Sequence, residues 1–180
     1  IGNEFNLTYG QTGLVTTFFF FAYGIGQVVN GFLCKKYNTK IVIFLSLISS
    51  SILNFFFFVS KNVEIFKFIW LLNGVSMSFL WTSLIKLLSE TISKEKIGKA
   101  IVTMGTTVAI GTFLVYSLSA LFVATLNYKF TFYVASIILL IVSAIWIFNY
   151  NRLVIPLKEE VRIKEESNST INKDKISSLG

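Results

Sequence analysis

Residues 41–59 read IVIFLSLISSSILNFFFFV, an apolar run that contains no charged side chain. A helix rises about 1.5 Å per residue, so about 20 apolar residues cross the roughly 30 Å hydrocarbon core of a bilayer. Every backbone N–H and C=O inside that core needs a hydrogen-bond partner, which a helix provides internally. The run is therefore predicted to be a transmembrane helix.

Four further segments on either side of this run meet the same criterion. The predicted spans cover residues 13–33, 41–59, 65–88, 100–126 and 130–148. Because the connections between them are short, consecutive helices are expected to be antiparallel neighbours in one bundle. The predicted fold class is an all-α membrane protein with about five transmembrane helices.

The composition agrees with a location in the lipid bilayer. Hydrophobic residues make up 54% of the chain and charged residues 14%, against about 45–50% and about 25% in soluble domains. The net charge of +7 is concentrated between the apolar runs and in the C-terminal segment, so no nucleic-acid partner is expected. With no histidine and a single cysteine, Cys34, we expect no metal site, no cofactor and no enzymatic activity.

Lysine and arginine residues are divided unequally between the two ends of the predicted helices. One end carries Lys35, Lys36, Lys40, Lys94, Lys96, Lys99, Arg152, Lys158, Arg162 and Lys164, and the other carries Lys61, Lys67 and Lys129. Basic residues favour the cytoplasmic side of a membrane. We therefore predict a multi-pass protein of the plasma membrane with its N-terminal end outside.

The character of the chain changes after Phe148. Residues 149–180 are polar and rich in Lys, Glu, Ser and Asn, which predicts a cytoplasmic loop or tail. Pro156 is expected to start a short helix, because proline is favoured in a first helical turn. From Ser167 onward we expect disorder.

The third predicted span contains a polar strip. Ser78, Thr82 and Lys86 follow one another at four-residue intervals, with Trp81 and Asn73 on adjoining faces. A charge within a membrane usually faces a cavity or a partner, but a lysine near a helix end can also extend to the headgroups. These five residues are candidates for lining a solute path, and both interpretations of Lys86 remain open.

The first span contains a second polar stripe, in which Tyr23 and Gln27 are further candidates for the path. Hydrogen bonding between helices is the alternative interpretation. Gly24 and Gly31, on an adjoining side, are expected to let another helix approach closely. The fourth span is expected to make a close contact through a face of mostly small residues, namely Gly105, Ala109, Thr112, Tyr116 and Ala120.

Residues 13–40 read GLVTTFFFFAYGIGQVVNGFLCKKYNTK and resemble the second helix and following loop of the major facilitator superfamily. Gly31, Lys36 and Lys40 fit the family's loop motif, whereas Lys35 stands where the family has an acidic residue. Further on, LLNGVSMSFLW, SKEKIGKA and MGTTVAIG resemble the fourth helix, the next loop and the fifth helix.

The resemblance implies that the chain holds helices two to six of a twelve-helix transporter. Its partners would then be the first helix, the C-terminal six-helix half and the lipid bilayer. Such proteins move small solutes by alternating access around a site near the middle of the membrane. A lysine without membrane carboxylates is similar to the organophosphate–phosphate antiporter branch, and implies an anionic solute. The alternative function is a non-transporting subunit or a receptor-like bundle that acts through partner binding.

Overall fold

A computed structural model describes residues 9–60 and 62–177 of the chain. These residues form five α-helices and no strand, and every helix is long and apolar enough to cross a membrane. The helices are α1 (Tyr9–Leu33), α2 (Thr39–Val59), α3 (Val63–Thr91), α4 (Ile97–Thr125) and α5 (Lys129–Ser177). The predicted all-α class with five spans is confirmed. Lys61, which is part of the predicted charge pattern, lies outside the described residues. So do residues 178–180, the end of the predicted tail.

Two asparagine side chains fix the starts of α2 and α3. The Oδ1 atom of Asn38 accepts a hydrogen bond from the backbone N–H of Lys40, and that of Asn62 accepts one from the N–H of Glu64, each at 2.9 Å. Asparagine is favoured at this position because it satisfies an N–H group that has no partner within the helix. The short connections before both caps make α1, α2 and α3 successive antiparallel helices.

The central element of the bundle is α3, which packs against α1 and α2, while α2 also packs against α5. An aromatic cluster joins α2, α3 and α5 at one end. The ring of Phe57 stacks on that of Phe66 with 4.3 Å between centroids, and lies 4.2 Å from Phe132 and 5.0 Å from Trp70. Such ring contacts add to the dispersion energy of a tightly packed interface.

Two glycines allow α1 and α3 to cross closely. A Cβ atom on Gly26 would overlap the Oγ of Ser78, and one on Gly74 would overlap the carbonyl oxygen of Phe19. Gly24 and Gly31, for which the sequence pattern predicts this role, have no atom within 4 Å of such a Cβ. Gly24 and Gly31 thus meet no helix among the described residues, because the side of α1 that meets α3 is the one that carries Gly26.

The fourth helix packs loosely against the rest of the bundle. It contacts α3 and α5, but none of its residues is buried. A Cβ atom on Gly105 would have no neighbour within 4 Å, and Tyr116 is 72% exposed. The face of small residues, for which a close contact is expected, meets no helix among the described residues. Small side chains permit close approach, but they provide little attraction of their own.

The fifth helix differs from the sequence-based expectation. It runs for 49 residues and passes through Pro156, whereas the sequence predicts a span ending near Phe148 and disorder from Ser167. The segment after Pro156 is rich in lysine and glutamate. Ion pairs at four-residue spacing, Glu160 with Lys164 and Arg162 with Glu166, favour continued helix.

Candidate functional site

The ammonium group of Lys86 lies against the loop that follows α1. Its Nζ atom donates hydrogen bonds to the carbonyl oxygens of Cys34, at 2.7 Å, and Tyr37, at 3.0 Å. The Oε1 atom of Glu90 lies 3.9 Å away, and the ring of Tyr37 lies 5.6 Å from Nζ to its centroid. The charge of Lys86 therefore already has partners within the protein.

This position suits the electrostatics of the end of α1. The last carbonyl groups of a helix have no partner within the helix, and the aligned peptide dipoles place partial negative charge there. Lys86 of α3 donates hydrogen bonds to carbonyl groups there, and its positive charge is attracted to the partial negative charge. Burial raises the pKa of the Tyr37 phenol above its ordinary value.

A second set of charges joins α3 to α5 at the same end of the bundle. The Nζ atom of Lys158 donates a hydrogen bond to Oε2 of Glu90 and lies 5.9 Å from the centre of the Tyr150 ring. Glu90 thus stands between two lysines, Lys86 on its own helix and Lys158 on α5. The attraction between the carboxylate and the two ammonium groups offsets part of the free energy needed to remove these charges from water.

The three residues of the resembling loop motif have different surroundings. Lys40 makes two hydrogen bonds with α5: its Nζ atom donates to Oδ1 of Asn151 at 3.1 Å, and its carbonyl accepts from the indole N–H of Trp146 at 2.9 Å. Its Nζ atom also lies 5.5 Å from the centre of the Tyr150 ring. These contacts join the start of α2 to α5. Gly31 and Lys36 are exposed. Of the motif residues, only Lys40 therefore contributes to the packing of the bundle.

Ser78 and Asn73 are both buried between helices, on different sides of α3. The Oγ of Ser78 accepts a hydrogen bond from Nδ2 of Asn30 on α1 at 3.0 Å. Asn73 accepts one from the Oγ of Ser50 on α2 at 2.6 Å. Their side chains are 0% and 6% exposed respectively. In the structure, both candidates thus take part in hydrogen bonds between helices.

The remaining candidates are Tyr23, Gln27, Trp81 and Thr82, and all four are half-buried. Thr82 donates its hydroxyl to the carbonyl of Ser78 at 2.9 Å, one turn earlier in α3. A half-buried polar side chain can contact a passing solute without giving up a packing contact. These four residues on α1 and α3 are therefore the part of the predicted path that stays accessible.

Sequence reasoning missed the polar contact between α2 and α5. Ser51 donates its hydroxyl to the carbonyl of Ser136 at 2.7 Å, and Ser136 donates to the carbonyl of Ser51 at 2.8 Å. Ser46, Ser50 and Asn54, which follow at four-residue intervals on α2, are also buried. That spacing within the charge-free run predicts a buried polar face on α2. Ser50 of this row bonds to Asn73 on α3, so the spacing does not indicate the contact of Ser51 with α5.

Comparisons with a family model and with known proteins indicate the same protein family. Residues 1–177 match the family model described as Major Facilitator Superfamily. A probable hexose phosphate transport protein of Chlamydia trachomatis is 26% identical over 137 residues, which cover 76% of this chain and 30% of that protein. The membrane sensor protein UhpC of Salmonella typhimurium is 27% identical over 92 residues, which cover 51% of this chain and 21% of that protein.

The chain thus matches less than a third of the length of these relatives. No solved structure gives a significant match. The family match extends over nearly the whole sequence and agrees with the five long apolar helices. The chain is a multi-pass integral membrane protein that belongs to the major facilitator superfamily.

Proposed function

We propose that the chain is part of a secondary active transporter that moves a small anionic solute by alternating access. The observation that carries this proposal is the family match over residues 1–177, together with relatives named for hexose phosphate transport. In this proposal a first helix and a six-helix half complete the solute site. The protein lies in the plasma membrane with the α1–α2 loop and the end of α5 in the cytoplasm, and it has no enzymatic role.

The proposed solute path follows the accessible sides of α1 and α3. Tyr23 and Gln27 line it on α1, and Trp81 and Thr82 line it on α3. These side chains offer hydroxyl, amide and aromatic groups, which suit the hydroxyl groups of a small polar solute. A solute phosphate needs positive charge in addition, and the completing half supplies it in this proposal.

Lys86 lies at the cytoplasmic end of this path. An anionic solute would have to displace the carbonyl oxygens of Cys34 and Tyr37 before it could pair with the ammonium group. Both carbonyls would then lose a charge-assisted hydrogen bond, which makes this exchange unfavourable. We therefore propose that Lys86 holds the α1–α2 loop on α3, and that its contribution to solute binding is small.

Uptake by the full-length protein in liposomes loaded with inorganic phosphate tests the function. Glucose 6-phosphate should accumulate with saturable kinetics, while glucose, which has the same ring without the phosphate, should not. Equal uptake of both sugars, or no uptake of any phosphate ester, would contradict the proposal. Residues 1–180 alone should give no saturable flux, because a site between two halves needs both of them.

A second candidate is a sensor that binds a solute without moving it. The relative named as a membrane sensor protein favours this alternative. It predicts that glucose 6-phosphate binds in a calorimetric titration, yet does not accumulate in liposomes above the level that passive leakage gives. Binding together with accumulation excludes the sensor and supports the transporter.

A further inference from the structure

A large cavity lies between α4 and the polar end of α5. Its volume is about 810 Å³, and its walls come from the end of α3, the α3–α4 connection, the first turns of α4, and α5 after Pro156. Three of the lining side chains are lysines: Lys96, Lys99 and Lys164. None of the residues of the proposed solute path lines this cavity.

The charges in the cavity leave a positive excess. Glu160 is the carboxylate among its lining residues, and it pairs with Lys164. The pKa of the Glu160 carboxyl lies below its ordinary value mainly because of Lys164, and the charge of Lys96 also lowers it. Among the described residues, Lys96 and Lys99 form no ion pair with a carboxylate. Three lysines against one glutamate create a site that favours an anion, and ammonium groups are strong point-charge partners for phosphate.

Of the other nine lining residues, five are apolar and four carry a hydroxyl group. Met104 on α4 and Leu157 and Val161 on α5 face the same space. A second cavity of about 280 Å³ lies farther along the same two helices, between Val115 and Leu118 on α4 and Ile138 on α5 and their neighbours. From Met104 to Val115 the helix rises about 16 Å, a distance comparable with an acyl chain. Two separate cavities thus lie between α4 and α5, a basic one at the end of the bundle and an apolar one farther along the helices. We refer to the space that includes both cavities as the cleft.

We propose that an anionic phospholipid binds in this cleft, with its phosphate between Lys96, Lys99 and Lys164 and an acyl chain along α4 and α5. A free phosphate ester would use the lysines but would leave the apolar part of the cleft uncovered. A lipid matches both parts. It would also cover a side of α4 that the described residues leave exposed, and basic pockets between membrane helices are known to hold lipid headgroups.

Native mass spectrometry of the 180-residue chain tests the proposal. The chain is purified in a neutral detergent, and phosphatidylglycerol or phosphatidylcholine is added as the probe. The wild-type chain should retain phosphatidylglycerol in preference to phosphatidylcholine. The variant K96Q/K99Q should bind phosphatidylglycerol at least about tenfold more weakly, because two of the three cationic partners are lost.

Two further variants separate this site from general surface charge and from misfolding. K35Q/K36Q removes two exposed lysines from the same end of the bundle and should change the affinity less than about threefold. E160Q removes the competing carboxylate and should strengthen retention, a gain that a misfolded protein would not show. Circular dichroism checks the helix content of each variant.

The proposal fails if K96Q/K99Q retains phosphatidylglycerol like the wild type, or if K35Q/K36Q loses as much. It also fails if inorganic phosphate displaces the lipid completely while the ionic strength is held constant. The site would then be one for a soluble anion. Weaker retention by E160Q, with its helix content intact, would contradict the assigned electrostatics.

Discussion

The Nζ atom of Lys86 lies 2.7 Å from the carbonyl oxygen of Cys34, so a side chain near the end of α3 satisfies the end of α1. A second carbonyl, that of Tyr37, accepts from the same ammonium at 3.0 Å. Lys86 and Cys34 are separated by 52 positions in the sequence. Through this contact the α1–α2 loop is held on α3 rather than left in solvent.

Replacing Lys86 by glutamine should therefore lower stability. The variant loses two charge-assisted hydrogen bonds, and because the lysine side chain is 20% exposed, we expect a cost of about 1–2 kcal/mol. Unfolding of the chain in detergent, followed by circular dichroism, measures the effect. Lys36→Gln, which changes an exposed lysine of the same loop, is the matched control and should have an effect below about 0.5 kcal/mol.

The same variant also distinguishes the two roles of Lys86 in the full-length protein. If the residue holds the loop, Lys86→Gln should leave the affinity for an anionic solute within about threefold and reduce the amount of folded protein. An affinity loss of about tenfold to hundredfold, corrected for surface abundance, would assign the ammonium to the solute instead.

Replacing Gly74 by alanine should destabilise the crossing of α1 and α3. The new Cβ would overlap the carbonyl oxygen of Phe19, and backbone cannot move aside as a flexible side chain can. We expect a loss of about 1–3 kcal/mol, typical of an overpacked interior. Gly24→Ala is the control: its Cβ has open space, so the higher helix propensity of alanine should leave stability unchanged or slightly raised. Equal losses in the two variants would contradict this crossing of α1 and α3.

The hydrogen bond between Ser50 and Asn73 should give a measurable coupling between α2 and α3. A double-mutant cycle with Ser50→Ala and Asn73→Ala should yield about 0.6 kcal/mol, the average for hydrogen bonds between membrane helices. Ser49, the half-buried neighbour of Ser50, is the control position. A cycle of Ser49→Ala with Asn73→Ala should show no coupling, and a coupling as large as that of Ser50 would argue against the observed orientation of α2.

The predicted orientation in the membrane is tested by cysteine labelling from outside the cell. After replacement of Cys34 by serine, single cysteines are placed at Asn38 and Asn62. Asn38 caps α2 and Asn62 caps α3, and both residues are exposed, one near each end of α2. Each substitution should therefore lower stability by a similar amount, about 1 kcal/mol. An impermeant reagent should label position 62 and spare position 38, and the reverse pattern would invert the topology.

Hydropathy was sufficient to predict the number and approximate extent of the helices. The predicted span 41–59 corresponds to α2, Thr39–Val59, and the span 65–88 to α3, Val63–Thr91. Charge-free runs of this length have few alternatives in a bilayer. These two helices are longer than the predicted spans by a few residues, and the caps Asn38 and Asn62 stabilise their added first turns.

The partners of each helix could not be predicted in the same way. In a membrane helix nearly every face is apolar, so hydrophobicity does not indicate which side packs against a neighbour. Gly24 and Gly26 are equally small, and only the crossing of α1 and α3 shows that Gly26 is the one in contact. Likewise, the spacing of Ser78 does not indicate that Asn30 of α1 donates a hydrogen bond to it, which only the structure shows.

The length of α5 has a mechanical consequence. Its 49 residues span about 70 Å, so roughly 40 Å extends beyond a hydrocarbon core of about 30 Å. If α5 rotates by about 10° at the membrane surface, the end of the roughly 40 Å of helix beyond the core moves by about 7 Å. Pro156 lies within α5. Because proline cannot donate a backbone hydrogen bond, the helix bends most easily at this residue. Small rotations of the bundle are therefore converted into large displacements outside the membrane.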